Sequence, residues 1–285
     1  MKGKKRFTIG ALRIIGVCAL VALLIGALAF LEKDRSVHPA QMIFVGTKDD
    51  ADCAILQSNG ACVVIDTGEA QDAEHILAIL REQKIEKIDC LVLTHPDKDH
   101  IGGAPALLDA VPVEMVVCPY YNKDNTPYRD LQEKLEELGV SQLIPSRDRV
   151  LVFGDLELQI WPPEDFYYEK DNDYSVAVLV EHGEVNLFFA GDAQKQRLQE
   201  LERYTFPEID LYKVAYHGRD SSRSAQLIRQ INPEFAVVTA KEPLGETAKA
   251  LEEVSAQVLC TLEQDYFIES NGNTLELKRP LTSEP

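Results

Sequence analysis

Thr94-His95-Pro96-Asp97-Lys98-Asp99-His100-Ile101-Gly102-Gly103 is the most informative run of residues in this chain. It follows the apolar run Leu91-Val92-Leu93, which predicts a buried strand, and it places two imidazoles and two carboxylates within six residues. Buried without partners, such groups would each cost on the order of several kcal/mol, whereas convergence on divalent cations would satisfy them. A surface turn is the competing interpretation, because Pro, Asp and Lys are ordinary loop residues. We favour a metal site, and with it an enzyme.

Two predicted hairpins each deliver an aspartate beside a glycine at the end of an apolar strand. The first turns at Asn59-Gly60, a strong signal for a two-residue hairpin, and ends in Asp66-Thr67-Gly68. The second turns at His182-Gly183 and ends in Gly191-Asp192, and a later apolar strand leads to His217. Loops at strand ends are where rigid scaffolds present reactive groups, so we expect these side chains to collect at one edge.

Alternating strand and helix signals predict one α/β domain over residues 41–278, an αββα sandwich in which helices cover two β-rich halves. The predicted helices span 70–84, 126–139, 193–203, 222–231 and 244–256, with further strands in 148–161 and 257–278. Residues 279–285 form a tail.

The order of four motifs resembles that of the metallo-β-lactamase superfamily, and most of all the hydrolase domain of ComEC-type competence proteins. The motifs are Asp66-Thr67-Gly68, His95–His100, Gly191-Asp192 and Lys213–Gly218. The resemblance covers about residues 41–278 and implies two divalent metal ions. It also implies hydrolysis of phosphodiester bonds, in DNA or nucleotides, by a metal-bound hydroxide.

The spacing of the second motif suggests how two cations would be held. His95 and Asp97, two residues apart, can point the same way and grip one cation. Asp99 and His100 stand where the loop becomes a helix and can turn toward the other. Two cations about 3.5–4 Å apart share a water and stabilise the attacking and leaving oxygens.

The other motifs would complete this centre. Asp192 can bridge both cations with its two oxygens, and His217 can complete the second site. Asp99 or Asp97 would orient the water, so Asp99, Asp97 and His217 are the predicted catalytic residues. Asp66 either supports the metal ligands or simply forms a turn.

Asp97 departs from the majority pattern, because most of the superfamily has histidine at its position. Aspartate there is what the ComEC-like branch shows. It makes the first site richer in oxygen, which moves the metal preference from zinc toward manganese or magnesium. We therefore expect manganese or zinc, with magnesium as a third candidate.

Two other motifs depart from the pattern as well. In place of a third-motif histidine the chain has Asp171–Ser175, in which Asn172 or Ser175 would approach the metals or the substrate, or else start a strand. ComEC-like domains usually carry two histidines where this chain has Tyr216-His217. If His217 is the ligand, Tyr216 is free to hydrogen-bond a leaving oxygen; if the first position is the ligand, the second metal site is weakened.

Several polar residues near these motifs are candidates for binding a phosphate, or are ordinary surface residues. Arg219 and Arg223 flank His217 in an otherwise acidic chain, which suggests local anion binding. The full set of candidates is Lys98, Lys213, Arg219, Ser221, Ser222 and Arg223.

The N-terminal segment predicts export or anchoring. Residues 14–31 form an unbroken run of apolar and small residues, long enough to span a bilayer, with basic residues before it. This charge bias places the bulk of the chain outside the cytoplasm. Cleavage of a signal peptide after Ala29 is the alternative to a retained membrane anchor, with a buried soluble helix as a third. Residues 32–40 then form a linker.

Composition restricts the partners. With a formal charge of −18 the chain lacks the basic face that extensive contact with duplex nucleic acid requires, but a phosphodiester or another small anionic substrate remains compatible. The six cysteines show no paired spacing and are predicted to be buried small hydrophobic residues rather than a disulfide framework.

Two other functions compete with phosphodiester hydrolysis. Tyr216 and the missing third-motif histidine favour a degenerate domain that binds a ligand or partner without turnover. Hydrolysis of a lactone, thioester or β-lactam is the other, but branches with those activities usually keep the histidine that Asp97 replaces.

Overall fold

The computed structural model describes residues 37–278, in which two mixed β-sheets face each other. The first sheet has eight strands in the order β15-β14-β1-β2-β3-β4-β5-β6. These strands are β1 (Ala40–Phe44), β2 (Ala54–Ser58), β3 (Ala61–Ile65), β4 (Cys90–Val92), β5 (Met115–Val117), β6 (Ser141–Leu143), β14 (Tyr266–Ser270) and β15 (Leu275–Lys278).

The second sheet has seven strands in the order β13-β12-β11-β10-β9-β8-β7. These strands are β7 (Arg149–Phe153), β8 (Leu156–Trp161), β9 (Ala177–His182), β10 (Val185–Phe189), β11 (Leu211–Lys213), β12 (Phe235–Val238) and β13 (Gln257–Cys260).

Both sheets change from antiparallel to parallel pairing at the second strand of a hairpin. In the first sheet β2 and β3 are antiparallel, with Ala54 opposite Ile65, whereas β3, β4, β5 and β6 run parallel. In the second sheet β9 and β10 are antiparallel, whereas β10, β11, β12 and β13 run parallel. The carboxyl ends of the parallel strands of each sheet therefore lie at one edge of that sheet.

The space between the sheets is filled by the inward-facing residues of both. Successive side chains of a strand point to opposite faces, so Met42 and Phe44 of β1 pack into this central core while Ile43 packs on the outer face. The rings of Phe44 and Phe189 stack across the core, with centroids 6.0 Å apart. Because both faces of β1 are apolar, helices must cover the outer face.

Seven α-helices provide this cover in the described residues. They are α1 (Ala73–Glu82), α2 (Lys98–Ile101), α3 (Ala104–Ala110), α4 (Thr126–Leu138), α5 (Lys195–Leu201), α6 (Ser222–Ile231) and α7 (Gly245–Glu253). The first four pack on the first sheet through residues such as Ile76, Leu107 and Leu131. The last three pack on the second through residues such as Leu198, Leu227 and Leu251. The predicted αββα sandwich is confirmed.

The boundaries of α4 follow from local sequence. Asn125 caps its start by accepting a hydrogen bond from the Tyr128 amide at 3.2 Å, and Pro127 lies in the first turn. Gly139 ends the helix with a φ of 65°, a conformation that glycine adopts without a steric penalty. The cap lies one residue before the predicted Thr126.

Three other predictions have separate outcomes: one is corrected, one is confirmed for four of the five described cysteines, and one falls outside the described residues. Strands β14 and β15 close the first sheet rather than the second, so the two sheets are not two consecutive halves of the chain. All five cysteines between residues 37 and 278 are free thiols, and four of them are buried. Within that same range the structure contains no helix long and apolar enough to cross a membrane; the anchor predicted at residues 14–31 lies outside the described residues.

Candidate metal centre

The candidate centre lies where the carboxyl ends of the parallel strands of both sheets meet. Asp66 directly follows β3, and the segment after β4 carries His95 in its loop and His100 in the short helix α2. From the second sheet, Asp192 follows β10 and His217 follows β11. Ligand-type atoms of four buried residues lie within 4.8 Å of one another, and these are Asp52, His100, Asp192 and His217.

The loop after β4 is held in place by the loop after β3. The Thr67 amide and hydroxyl both donate to the His100 carbonyl oxygen, at 2.7 and 2.9 Å. A Cβ atom at Gly103 would lie 2.2 Å from the Thr67 carbonyl oxygen, so only glycine permits this close approach. The glycines of the motif therefore serve to dock the ligand loop.

Asp66 orients His100. Its carboxylate accepts hydrogen bonds from the Thr94 amide at 2.7 Å and the Thr94 hydroxyl at 2.8 Å, and it lies 2.8 Å from His100 Nδ1. With Nδ1 held by this carboxylate, Nε2 is directed into the cluster, which is the usual support of a metal-binding imidazole. The geometry corresponds to the supporting role of Asp66 rather than to a simple turn.

His95 lies beside His100. The ring centroids of the two histidines are 4.0 Å apart, and His95 is buried. Its Nε2 is 3.6 Å from the Asp97 carboxylate, whose side chain is 30% exposed. Asp97 is thus the most open carboxylate of the motif and faces both His95 and solvent.

Asp192 lies between the histidines of the two sheets. One carboxylate oxygen is 2.9 Å from His217 Nε2, and the other is 3.4 Å from His100 Nε2. Asn172 donates to the Asp192 carboxylate at 3.1 Å, and the Ser175 hydroxyl accepts from the Asp192 amide at 3.0 Å. Asn172 and Ser175 therefore position Asp192.

The backbone before His217 is strained in a way that turns its ring inward. Tyr216 and His217 have φ values of 53° and 52°, and Gly218 follows with 77°. A left-handed conformation costs a residue with a side chain about 1–2 kcal/mol. His217 thereby reaches the cluster, while Tyr216 is half-buried beside it, with ring centroids 6.4 Å apart. The second position of the Tyr216-His217 pair is the one that joins the centre.

Asp52 is a member of the cluster that sequence reasoning missed. It accepts a hydrogen bond from the Thr239 hydroxyl at 2.5 Å, and it lies 3.2 Å from His217 Nδ1. It also forms a buried ion pair with Lys213. In the sequence it closely follows Asp49 and Asp50, and a stretch so rich in aspartate is typical of a solvated loop. The feature of the sequence that could have indicated its burial is the apolar strand β2, which begins two residues later.

Lys213, predicted to contact a phosphate or else to be an ordinary surface residue, is instead buried. Its side chain is 5% exposed, and Nζ forms an ion pair with the Asp52 carboxylate. It lies on β11, in which all three residues are buried, so its ammonium group compensates the charge of an internal carboxylate. It does not reach a surface where a substrate could bind.

Buried negative charge dominates this region. Burial opposes the charged form of His100 and His217, but neighbouring carboxylates, Asp52 and Asp192 above all, raise the pKa of both histidines well above its ordinary value. Burial likewise opposes ionisation of Asp192, yet these two imidazoles lower the pKa of its carboxyl well below the usual range. A site so rich in carboxylates attracts positive charge.

The donor set fits divalent cations. Three atoms of the predicted ligands are buried without a hydrogen-bond partner in residues 37–278, and they are His95 Nε2, His100 Nε2 and Asp192 Oδ1. Imidazole nitrogens and carboxylate oxygens, without thiolates, are typical ligands of zinc, manganese and magnesium. The Asp/His cluster suggests a dinuclear site for divalent metal ions.

The remaining predicted residues lie around the rim. Arg219 is 46% exposed, stacks on the Tyr216 ring at 5.0 Å and lies 3.5 Å from Asp50. Lys98 is exposed and binds Glu69 at 2.8 Å. Arg223 binds Glu202 at 2.8 Å and lies in the first turn of α6. These cations border the cluster without entering it.

Comparison with known proteins gives a family and several relatives. The family model described as the metallo-beta-lactamase superfamily matches residues 46–239. The chain is similar to ComE operon protein 3 of Bacillus subtilis (strain 168), a protein of the ComEC type, with 28% identity over 79% of this chain and 31% of that protein. It is also similar to a hydroxyacylglutathione hydrolase of Klebsiella pneumoniae, with 29% identity over 34% of this chain and 32% of that enzyme.

One solved structure shows the same fold. The metallo-beta-lactamase fold protein YhfI from Bacillus subtilis superposes with a TM-score of 0.55 at 12% identity, covering 82% of this chain and all of that protein. ComE operon protein 3 is much longer than this chain, which spans about a third of its length. The match to the hydroxyacylglutathione hydrolase covers about a third of both proteins.

Proposed function

Because the chain belongs to the metallo-beta-lactamase superfamily, whose members are metal-dependent hydrolases, we propose that it cleaves phosphodiester bonds, in DNA or in nucleotides. The observation that carries this proposal is the position of Asp192 between His100 and His217, which brings ligands of both sheets to one point. The similarity to ComE operon protein 3 supports the choice of substrate.

Residues from both sheets would hold the cations. His95 and Asp97 would bind one, and Asp99, His100 and His217 the other, with Asp192 shared between them. Cations bound there would lower the pKa of a water molecule and neutralise charge on the attacking and leaving oxygens.

Asp99 is the residue best placed to orient the attacking water. Its carboxylate is 3.3 Å from His217 Nε2 and 3.9 Å from His100 Nε2, and its side chain remains 24% exposed. Burial opposes the ionisation of Asp99, but His217 and His100 outweigh it and lower the pKa of the carboxyl below its ordinary value. The ionised carboxylate can accept a hydrogen bond from a water molecule and so orient it.

Tyr216 is a candidate for contact with the leaving group. It stands on the rim next to His217, and the guanidinium of Arg219 covers its ring. A phenol hydroxyl at this place can donate a hydrogen bond to an oxygen that leaves phosphorus.

A substrate screen of the full chain tests the proposal. The substrates are bis-p-nitrophenyl phosphate, single-stranded DNA and a chromogenic lactam, each with and without manganese. We expect manganese-dependent release of p-nitrophenol, and a loss of at least about 100-fold in Asp99→Ala, which removes both a proposed metal ligand and the carboxylate that orients the water. Asp109→Asn, an exposed change on α3, is the matched control and should keep full activity.

Two results would contradict the proposal. Equal turnover in Asp99→Ala and in the unchanged chain would assign the activity to a contaminant. A chain that binds two equivalents of manganese and cleaves none of the diesters would not be a phosphodiesterase.

Thioester hydrolysis is the second candidate, because the match to a hydroxyacylglutathione hydrolase favours it. It predicts cleavage of a hydroxyacylglutathione, added to the same screen as a fourth substrate, without release of p-nitrophenol from the diester. The carboxylate of Asp97, where the superfamily usually has histidine, is the reason for ranking it second.

A further inference from the structure

A polar groove opens beside the candidate metal centre, on the side of the second sheet. Its volume is about 560 Å³, which is the size of a small-molecule site. It is lined by Gln194, Lys195, Gln196, Gln199, Tyr216, Asp220, Ser221, Ser222 and Arg223.

The groove continues directly from the metal ligands. Tyr216 forms part of its wall and immediately precedes His217. Gln194 also lines the groove and follows Asp192 by two residues, and its backbone amide donates to the Asp173 carboxylate at 2.9 Å. If the ester bond to be cleaved lies at Asp192 and His217, the neighbouring chemical group of the same substrate molecule can therefore lie in this groove.

The lining is rich in hydrogen-bond donors and carries more positive than negative charge, in a chain with a formal charge of −18. Lys195 is exposed and forms no ion pair with any carboxylate in residues 37–278. The guanidinium of Arg223 forms an ion pair with Glu202, a residue that does not line the groove. The one acid of the lining, Asp220, already accepts the Glu246 amide at 2.8 Å.

We infer that this groove binds a second phosphate group of the substrate, adjacent to the bond that is cleaved. The inference rests on the proposed function and deepens it: the substrate is a phosphorylated oligonucleotide or nucleotide rather than an isolated diester. An ammonium group, a guanidinium edge, side-chain amides and hydroxyls are the donors that a phosphate dianion requires.

A second groove provides an internal control. It has a similar volume, about 520 Å³, and is lined in part by Lys84, Lys87 and Gly60. It lies at the amino ends of β3 and β4, opposite to the edge with the metal ligands. Lys84→Gln thus removes the same charge from a comparable groove that no substrate at Asp192 can reach.

The test compares dinucleotides that differ only in a terminal phosphate. The substrates are thymidylyl-thymidine without a terminal phosphate and with one at the 5′ or the 3′ end, and the full manganese-loaded chain is used. We expect kcat/KM to be about tenfold higher for at least one phosphorylated form, the scale of one charge-assisted hydrogen bond. In Lys195→Gln the ratio should fall to between one and three, whereas Lys84→Gln should keep it.

Binding without catalysis gives an independent readout. Thymidine 3′,5′-bisphosphate is titrated into the chelator-treated chain by calorimetry, with thymidine as the comparison. We expect binding of the bisphosphate that weakens about tenfold in Lys195→Gln and remains unchanged in Lys84→Gln.

The outcomes separate this inference from the proposed function. Equal kcat/KM values for the three dinucleotides would overturn the inference while leaving phosphodiester hydrolysis intact, and so would an equal effect of Lys84→Gln and Lys195→Gln. If no diester is cleaved at all, the proposed function fails, and Lys195-dependent binding of the bisphosphate still decides whether the groove takes a phosphate.

Discussion

At the scale of single residues, the candidate centre depends on a buried support below its ligands. Asp52 contacts His217 through one oxygen and Lys213 through the other, and the Thr239 hydroxyl also donates to it. Such partners fix the orientation of a metal-binding imidazole and usually matter almost as much as the ligands. The Asp52–Lys213 pair therefore couples the stability of the core to the geometry of the site.

Asp52→Asn should cost stability and metal affinity together. The change leaves the Lys213 ammonium buried without its carboxylate, and breaking a buried pair from one side costs about 3–5 kcal/mol. Urea unfolding measures this loss, and manganese titration should show affinity lowered by about 10–100-fold.

A double-mutant cycle provides the control. Adding Lys213→Met to Asp52→Asn should restore part of the stability, because no charge is then left unpaired. Recovery of stability without recovery of metal affinity would identify Asp52 as a positioning residue for His217. If Asp52→Asn changes neither quantity, the pair has no such role.

At the scale of elements, the two sheets are joined at both ends. The metal ligands join them at one edge, and His182 joins them at the other. His182 ends β9 and is fully buried, with Nδ1 2.7 Å from the Ser270 hydroxyl of β14 and Nε2 2.9 Å from the His38 carbonyl oxygen. Since a carbonyl oxygen only accepts, Nε2 carries the proton and the Ser270 hydroxyl donates to Nδ1.

This arrangement predicts a loss of stability in mild acid. Burial lowers the pKa of His182, although the His38 carbonyl and the charge of Asp155 act in the opposite direction. The unfolded chain therefore binds a proton that the folded chain resists. The stabilisation that neutral His182 contributes is complete above about pH 6.5, the pKa of histidine in the unfolded chain, and it is lost as the pH falls below that value.

Unfolding by urea between pH 5 and 8 measures this dependence. The free energy of unfolding of the unchanged chain should fall toward pH 5 more steeply than that of His182→Asn, in which position 182 cannot titrate. Subtracting one pH curve from the other cancels the contributions of the titrating groups that both proteins share. Parallel curves would mean that His182 does not contribute. His75→Asn, an exposed histidine paired with Asp265, is the matched control.

At the scale of the whole molecule, a metal centre would act as a cross-link between the sheets. His95 and His100 follow β4 of the first sheet, whereas Asp192 and His217 follow β10 and β11 of the second. A ligand that binds only the folded state stabilises it by mass action, about 2.7 kcal/mol at a concentration 100 times its Kd.

Removing metal should therefore lower the melting temperature of the whole domain. Calorimetry with manganese and then with excess chelator should show a shift of several degrees, as expected for a domain of this size. Asp192→Ala, which removes the shared carboxylate, should melt at the same temperature with and without manganese. A full manganese shift in that variant would place the stabilising site elsewhere.

The local sequence determined most of the architecture. The Asn59-Gly60 turn predicted the hairpin of β2 and β3, since only a few residue types allow the backbone of such a turn, and the capping residues predicted α4 within one residue. The apolar runs that precede the histidines and aspartates predicted that these side chains stand directly after buried strands. Short-range sterics and periodicity control these features, so they can be read without knowledge of distant contacts.

Only the tertiary structure decided how the parts combine. Asp52 looks like a surface acid in sequence, and Lys213 like a substrate contact, because their pairing joins residues more than 150 positions apart. The return of β14 and β15 to the first sheet depends likewise on pairing with β1. Burial of a charge is permitted only when its partner is brought to it, and that partner is chosen by the packing of the two sheets rather than by any neighbour in the sequence.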